Sequence, residues 1–243
     1  MTLRLSKRMA DLGICSRREA DYLIAHGWVM VNGQIIDQLG SKVEISDEIT
    51  LSKAAQLHLD QKISILMYKP VGFVCHASEE GYEHVFDLLH PDNCVDEDGK
   101  RVKDKGLAPV GRLDIDSRGL LILSQDGTIA KKIIGEDSKV PKTYIVKTDS
   151  ALSEQDLKLL KQGNAWEQKG VLKPVGVKVL RDTLYEITLY EGKNRQIRRM
   201  LECLEKNTLM LKRIKIGNLS IDGLEEGQWR KITAEEKSNL MKW

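Results

Sequence analysis

The 243-residue chain lacks several features that would assign it quickly. Its four cysteines, Cys15, Cys75, Cys94 and Cys203, are scattered, and no Cys-x-x-Cys pair occurs. That argues against a disulfide framework or a cysteine-ligated zinc ribbon, and it fits free thiols in a reducing cytoplasm. The five histidines show no metal-ligand spacing, so no metal site is expected. No secretory leader opens the chain, and no apolar run approaches the ~20 residues of a membrane helix. Neither sign of charge dominates, because 38 Lys and Arg face 36 Asp and Glu for a net charge of +2. A surplus this small does not diagnose a nucleic-acid partner; its distribution must carry that argument. The distribution is uneven: residues 191–215 hold eight Lys/Arg against three Asp/Glu, whereas residues 1–60 hold seven against eight.

What is present is ordinary globular material, 30% charged and 41% hydrophobic, long enough for a full core and two domains. Residues 3–12 carry a rough helical stripe of Leu3, Leu5, Met9 and Leu12, which Gly13 stops. Ser16-Arg17-Arg18-Glu19 reads as a capping box opening a second helix. Arg17 and Arg18 then lie beside free N–H groups at the positive end of that helix, an arrangement suited to phosphate. Two short apolar runs around Asn32-Gly33 predict a hairpin, and strands follow near 42–45 and 49–51. Residues 52–61 lack strand patterning and read as a linker, which places a domain boundary near residue 60.

Beyond it, Ile63–Tyr68 is strand-like, and Lys69-Pro70-Val71-Gly72 forms a turn. Residues 95–106 are charge-rich with two glycines and read as a mobile surface insertion. Strands are expected near 120–123, 141–147, 175–180, 184–190 and 209–216. Helices are expected at 126–134, 152–162, from about 194, and at 233–242. The class is α+β, with a mixed, largely antiparallel sheet flanked by helices.

The most informative stretch is Gly111-Arg112-Leu113-Asp114-Ile115-Asp116-Ser117-Arg118-Gly119, followed at once by the apolar Leu120–Leu123. Acids and a turn glycine feeding a buried strand describe a loop held by a rigid element, where chemistry is usually placed. Asp116 reads as a turn residue that hydrogen-bonds backbone amides. On spacing alone, Arg112 and Asp114 pairing across a turn is an equally good account.

Gly-Arg-Leu-Asp-x-Asp-Ser-x-Gly-Leu-Leu closely resembles the signature loop of pseudouridine synthases of the RsuA/RluB/RluE/RluF family, which modify ribosomal RNA. The resemblance extends to Tyr68-Lys69-Pro70-x-Gly72, to Asn194-Arg195-Gln196-Ile197-Arg198 and to Leu224-x-x-Gly227-x-Trp229-Arg230, and so covers nearly the whole chain. Residues 1–60 resemble the small RNA-binding domain named after ribosomal protein S-four, and residues 61–243 then form the catalytic domain. Within the family, the Asn-Arg-Gln-Ile-Arg-Arg-Met run and the closing segment look most like RluF, which modifies large-subunit ribosomal RNA.

The resemblance implies an isomerase. The N1–C1′ bond of a uridine breaks, the base turns, C5 joins C1′ and the C5 proton leaves, with no cofactor and no metal required. It implies Asp114 as the catalytic carboxylate, a guanidinium from Arg198 beside it, and Tyr144 stacking on the uracil. Arg112 would enter the space left by the flipped nucleotide, with Leu113 and Ile115 in the RNA-binding loop and Leu211 as a pocket wall. Asn194, Arg195, Gln196 and Ile197 would also contact RNA, and Arg4, Lys7, Arg17 and Arg18 would hold its backbone. The expected partner is ribosomal RNA, the large subunit favoured, with a tRNA as a second class, for a monomeric protein free of membranes. Two other readings stay open: a non-catalytic RNA-binding or ribosome-assembly protein, and a glycosidase using Asp114 and Asp116. Two acids at i and i+2 in one loop are a poor guide to the cross-cleft separation a glycosidase needs.

Overall fold

The computed structural model describes residues 2–75, 81–96, 102, 105–163, 172–173 and 175–243. Most of the charge-rich 95–106 segment therefore lies outside the described residues.

The first sixty residues build their own small core. The chain enters as strand β1 (Thr2–Arg4), not as a helix, and only then turns into α1 (Leu5–Asp11) and α2 (Arg17–Ala25). The hairpin β2 (Val29–Val31) and β3 (Gln34–Ile36) turns on Asn32 and Gly33, both at positive φ, as the Asn-Gly pair predicts. Strand β4 (Lys42–Glu44) pairs with β1, which is why residues 2–4 are extended: the stripe's first leucine faces a sheet partner. Strand β5 (Ile49–Leu51) pairs with β2. The expected linker is instead helix α3 (Lys53–Asp60), capped by the Ser52 side chain on the Ala55 N–H. Ala55 is its one buried residue, too little apolar signal to read as a helix from sequence. Ser16 caps α2 by accepting from Glu19 N, but the Glu19 carboxylate turns away to His58 and Lys62, so only half of the capping box forms.

The second unit is organised by a mixed sheet in the order β10-β11-β9-β12-β8-β6-β14. Strand β6 (Ser64–Lys69) leads, through two short 3-10 turns at Val85–Leu88 and Pro91–Asn93, to β7 (Ala108–Pro109). Then come β8 (Arg118–Ser124) and α4 (Gly127–Ile134), which Asp126 caps. Strand β9 (Lys142–Thr148), α5 (Glu154–Gln162) and the hairpin β10 (Gly176–Arg181) and β11 (Leu184–Leu189) extend one side of the sheet. Next are α6 (Gln196–Glu202) and β12 (Thr208–Ile216). The short β13 (Leu219–Ser220), β14 (Trp229–Lys231) and α7 (Ala234–Met241) close the chain.

The run Leu120–Leu123 is apolar without alternation because β8 is covered on both faces. Leu120 and Ile122 pack with α4 and α7, while Leu121 and Leu123 pack with Met67, Leu88 and Trp229. Every strand pairing in this sheet among the described residues is antiparallel except β8 with β12. That parallel contact is short, Lys212 with Arg118 and Arg213 with Gly119, and it lies at the strand start from which the 111–117 loop emerges. Gly119 has φ of +113°, and a Cβ there would lie 2.2 Å from the Arg213 carbonyl oxygen. Only glycine fits this crossing.

Gly119→Ala should therefore lower the unfolding free energy by about 3 kcal/mol, since backbone must part to admit the methyl group. Urea unfolding of the two proteins measures it. A loss within experimental error of zero would show that the β8–β12 crossing yields freely.

Candidate active site

The loop between β7 and β8 has an unusual backbone. Every carbonyl from Arg112 to Ser117 accepts a hydrogen bond. Arg213 Nη1 donates to Arg112 O at 3.4 Å, and Cys75 Sγ to Leu113 O at 3.4 Å. Asp114 O accepts from Ser117 N at 3.0 Å and from Lys69 Nζ at 3.2 Å, and Ile115 O accepts from Gly72 N at 2.9 Å. Asp116 O takes Arg198 Nη2 at 3.1 Å, and Ser117 O takes Lys69 Nζ at 2.8 Å. Three cations therefore hold the loop from beneath. Lys69 has no exposed surface, Arg213 is 4% exposed and Arg198 7%. Buried charges of this kind are costly unless hydrogen-bonded, and these are bonded to the loop itself.

With its backbone fixed, the loop sorts its side chains. Leu113 and Ser117 point in, whereas Arg112 and Asp116 stand exposed and Asp114 lies between. Asp114 faces a cleft of about 750 Å³, within the ~300–1,000 Å³ usual for a ligand site. Arg112, Ile115, Tyr144, Leu211 and residues 192–197 line the same cleft. Tyr144 reaches it from β9, opposite Arg213 of β12. The sequence-predicted residues of the catalytic unit thus converge, with one exception.

The exception is Arg198, expected beside Asp114. The guanidinium at Asp114 belongs instead to Arg195, whose Nη1 lies 3.4 Å from Asp114 Oδ2 and whose Nη2 lies 3.4 Å from Asp116 Oδ2. Arg198 Nη2 meets Asp116 Oδ1 at 3.1 Å and Ser117 Oγ at 3.3 Å. The helix geometry explains the exchange. Arg195 is the left-handed cap residue of α6, at φ 51° and ψ 30°, and projects over the cleft. Arg198 falls on the buried side with Ile197, Met200 and Leu201, and so lies under the loop. The Arg195 pairs are long and half-exposed, worth less than about 1 kcal/mol, so a phosphate could draw this side chain away. Asp116, read as a turn residue bonding amides, instead holds both arginines.

Sequence reasoning left two contributors without a role. Lys69, which opens the expected turn, ends a strand whose six residues are all buried. Arg213 was one of three basic residues interleaved along β12. Its alternation with the buried Leu211 could have flagged it, because a charge at an inward-facing register position must have a buried partner. In the first unit Arg4, Lys7, Arg17 and Arg18 are all exposed.

Residues 63–203 match the model of the RNA pseudouridylate synthase family, and residues 3–49 match the S4 domain. The chain belongs to the RNA pseudouridylate synthase family. It is 33% identical over 244 residues to the ribosomal large subunit pseudouridine synthase B of Bacillus subtilis, covering 98% of this chain and 95% of that one. It is 32% identical over 246 residues to the dual-specificity RNA pseudouridine synthase RluF of Escherichia coli, covering 99% and 79%. A crystal structure of a pseudouridylate synthase superposes with a TM-score of 0.67 at 27% identity, covering 98% of this chain and 99% of that one. The synthase is thus an isomerase with an N-terminal RNA-binding unit, and the α+β expectation holds. No described helix is long and apolar enough to cross a membrane.

Burial pushes the Lys69 ammonium down from 10.5 to about 8, with Asp116 and Asp114 opposing the shift. Between about pH 8 and 10.5 the unfolded synthase keeps a proton on Lys69 that the folded one has released. This lysine therefore makes the fold relatively more stable as pH rises through that window. Lys69→Met should cost about 3 kcal/mol near neutral pH by leaving carbonyls of the loop without their donor. The gap between wild type and variant in urea unfolding should widen from pH 8 to 10.5. A constant gap would mean that Lys69 titrates as it does in the unfolded chain.

Proposed function

We propose that this synthase isomerises a specific uridine of ribosomal RNA, with Asp114 as the carboxylate that engages C1′ or a sugar proton. The observation that carries the reading is the Asp114 side chain on a fully tied backbone, facing a nucleotide-sized cleft that Tyr144 also lines. A uridine inside a helix cannot reach such a carboxylate, so the base must leave its stack first. Tyr144 then packs on the uracil, and its hydroxyl is available for proton transfer. Arg112, exposed at the cleft mouth, fills the space the base vacates, and Leu211 walls the pocket. Leu113 shapes the loop from inside, while Ile115, Asn194, Gln196 and Ile197 contact the incoming nucleotide.

Arg195 balances the charge of Asp114 in the free protein. Arg198 acts through Asp116 and Ser117, as a positioning residue. Relatives named for large-subunit ribosomal RNA favour that substrate, and the RluF relatives, named for dual specificity, support a second RNA such as tRNA. The division falls at residue 60, supported by a core drawn from residues 5–59 in the first unit. Within it Arg4, Lys7, Arg17 and Arg18 grip RNA backbone, which positions the substrate more than it reads sequence. The protein works as a monomer in the cytoplasm.

Ribosomal RNA carrying tritium at uridine C5 tests the chemistry. Wild type should release label to water, and Asp114→Ala should reduce release by at least about 10³-fold, the scale of a lost catalytic group. Equal release by both would remove Asp114 from the reaction. For the first unit, replacing Arg17 and Arg18 together by Ala should weaken RNA binding and flatten its salt dependence by roughly 0.7–0.9 in log–log slope per lost phosphate contact. An unchanged slope would mean that those arginines only solvate the surface.

A further inference from the structure

Away from the cleft, the first unit carries four rings clustered around Tyr22 and Trp28 at its surface. The Tyr22 and His26 centroids are 4.1 Å apart, and Tyr22 stacks on His58 at 5.0 Å with planes 22° apart. Trp28 meets Tyr22 edge-on at 6.1 Å, His26 at 5.0 Å and His58 at 5.9 Å. Three elements supply them: α2, the segment entering β2, and α3. The rings are fixed as well as gathered. His26 Nδ1 lies 2.8 Å from Tyr22 O, and His58 Nε2 lies 2.7 Å from Glu19 Oε1, a carboxylate that Lys62 also holds. Trp28 packs against the small core from the side, but Tyr22 is 43% exposed. Packing alone accounts for Trp28 and does not account for an ordered tyrosine and histidine pair facing solvent.

We propose that this cluster is a stacking platform for unpaired bases of the RNA substrate. The proposal rests on the RNA-modifying reading and adds to it a second point of contact. Charge decides the occupant. Arg18, Tyr22 and His26 follow one another at four-residue spacing, and so form one stripe along α2. Arg17 and Arg18 are exposed at its positive end, with backbone attraction for phosphate. A strand whose phosphates lie at that end has its next bases over Tyr22 and His26. Pre-ordered planar rings give up little freedom when a base lies on them, and stacking tolerates any base because every base has a π face. The platform would therefore favour substrates with a single-stranded segment beside the modified helix, and would not discriminate among the sequences of that segment.

Two RNA probes test this with the full chain: a hairpin carrying an unpaired oligouridine tail, and the same hairpin with a blunt end. Tyr22→Ala should weaken binding of the tailed hairpin at least about fivefold, the lower range for one lost base stack, and leave the blunt hairpin unchanged. Tyr22→Phe, which keeps the ring, should bind both probes as wild type does. The salt slope should stay the same in Tyr22→Ala, because no phosphate contact is lost. Equal weakening of both probes, or no weakening of the tailed one, would overturn the platform. Circular dichroism of the variant reports whether the small unit keeps its fold; if it does not, His26→Ala, at an exposed position, decides by the same comparison. Binding is read without turnover, so loss of the platform and failure of the Asp114 chemistry are separate results.

Discussion

The structure depends on buried cations donating to the carbonyls of one loop. Lys69, Arg198 and Arg213 come from β6, α6 and β12, and each ends on the backbone between Arg112 and Leu120. A short loop with two acids would otherwise be free to move. Here its main chain is determined by the sheet beneath it, and only its side chains are left to meet a substrate. That is preorganisation in a direct form, because the costs of ordering are met by folding and not by substrate binding. The same cations surround Asp114 and Asp116 with positive charge, so the two acids can share one loop.

Much of this was legible in the sequence. The loop, the strand after it, the hairpin at Asn32-Gly33, the capped helices and the closing helix each carry a strong local signal, either a turn residue or a periodic apolar face. The failures have equally local causes. Residues 2–4 are extended only because β4 pairs with them, and a partner forty residues away leaves no mark on three residues. Helix α3 fully buries only one alanine, leaves Leu57 exposed and tucks Leu59 partly against the core, so its periodicity is nearly silent.

One cleft gathers most of the residues expected at the site, and the guanidinium expected at Asp114 comes from Arg195 in place of Arg198. Four residues in a common segment, Arg195 to Arg198, cover almost a full helical turn, so a change of cap residue decides which arginine overlooks the cleft. That cap is a left-handed arginine, a conformation that non-glycine residues seldom adopt and that sequence patterns do not announce. The interior cations were harder still. A lysine closing an apolar strand reads as the strand's exposed end, and only the tertiary position of the loop turns it into an anchor.

The join between the two units has its own consequence. Helix α4 begins at Gly127, where a Cβ would lie 2.4 Å from the Ser16 Cβ, and Lys131 of the same helix donates to Ala10 O at 2.9 Å. Backbone meets side chain there with no room to spare. The span from the exposed arginines that open α2 to Asp114 is thereby a fixed length, as on a caliper. A methyl group inserted at position 127 would act as a shim, tilting one jaw against the other.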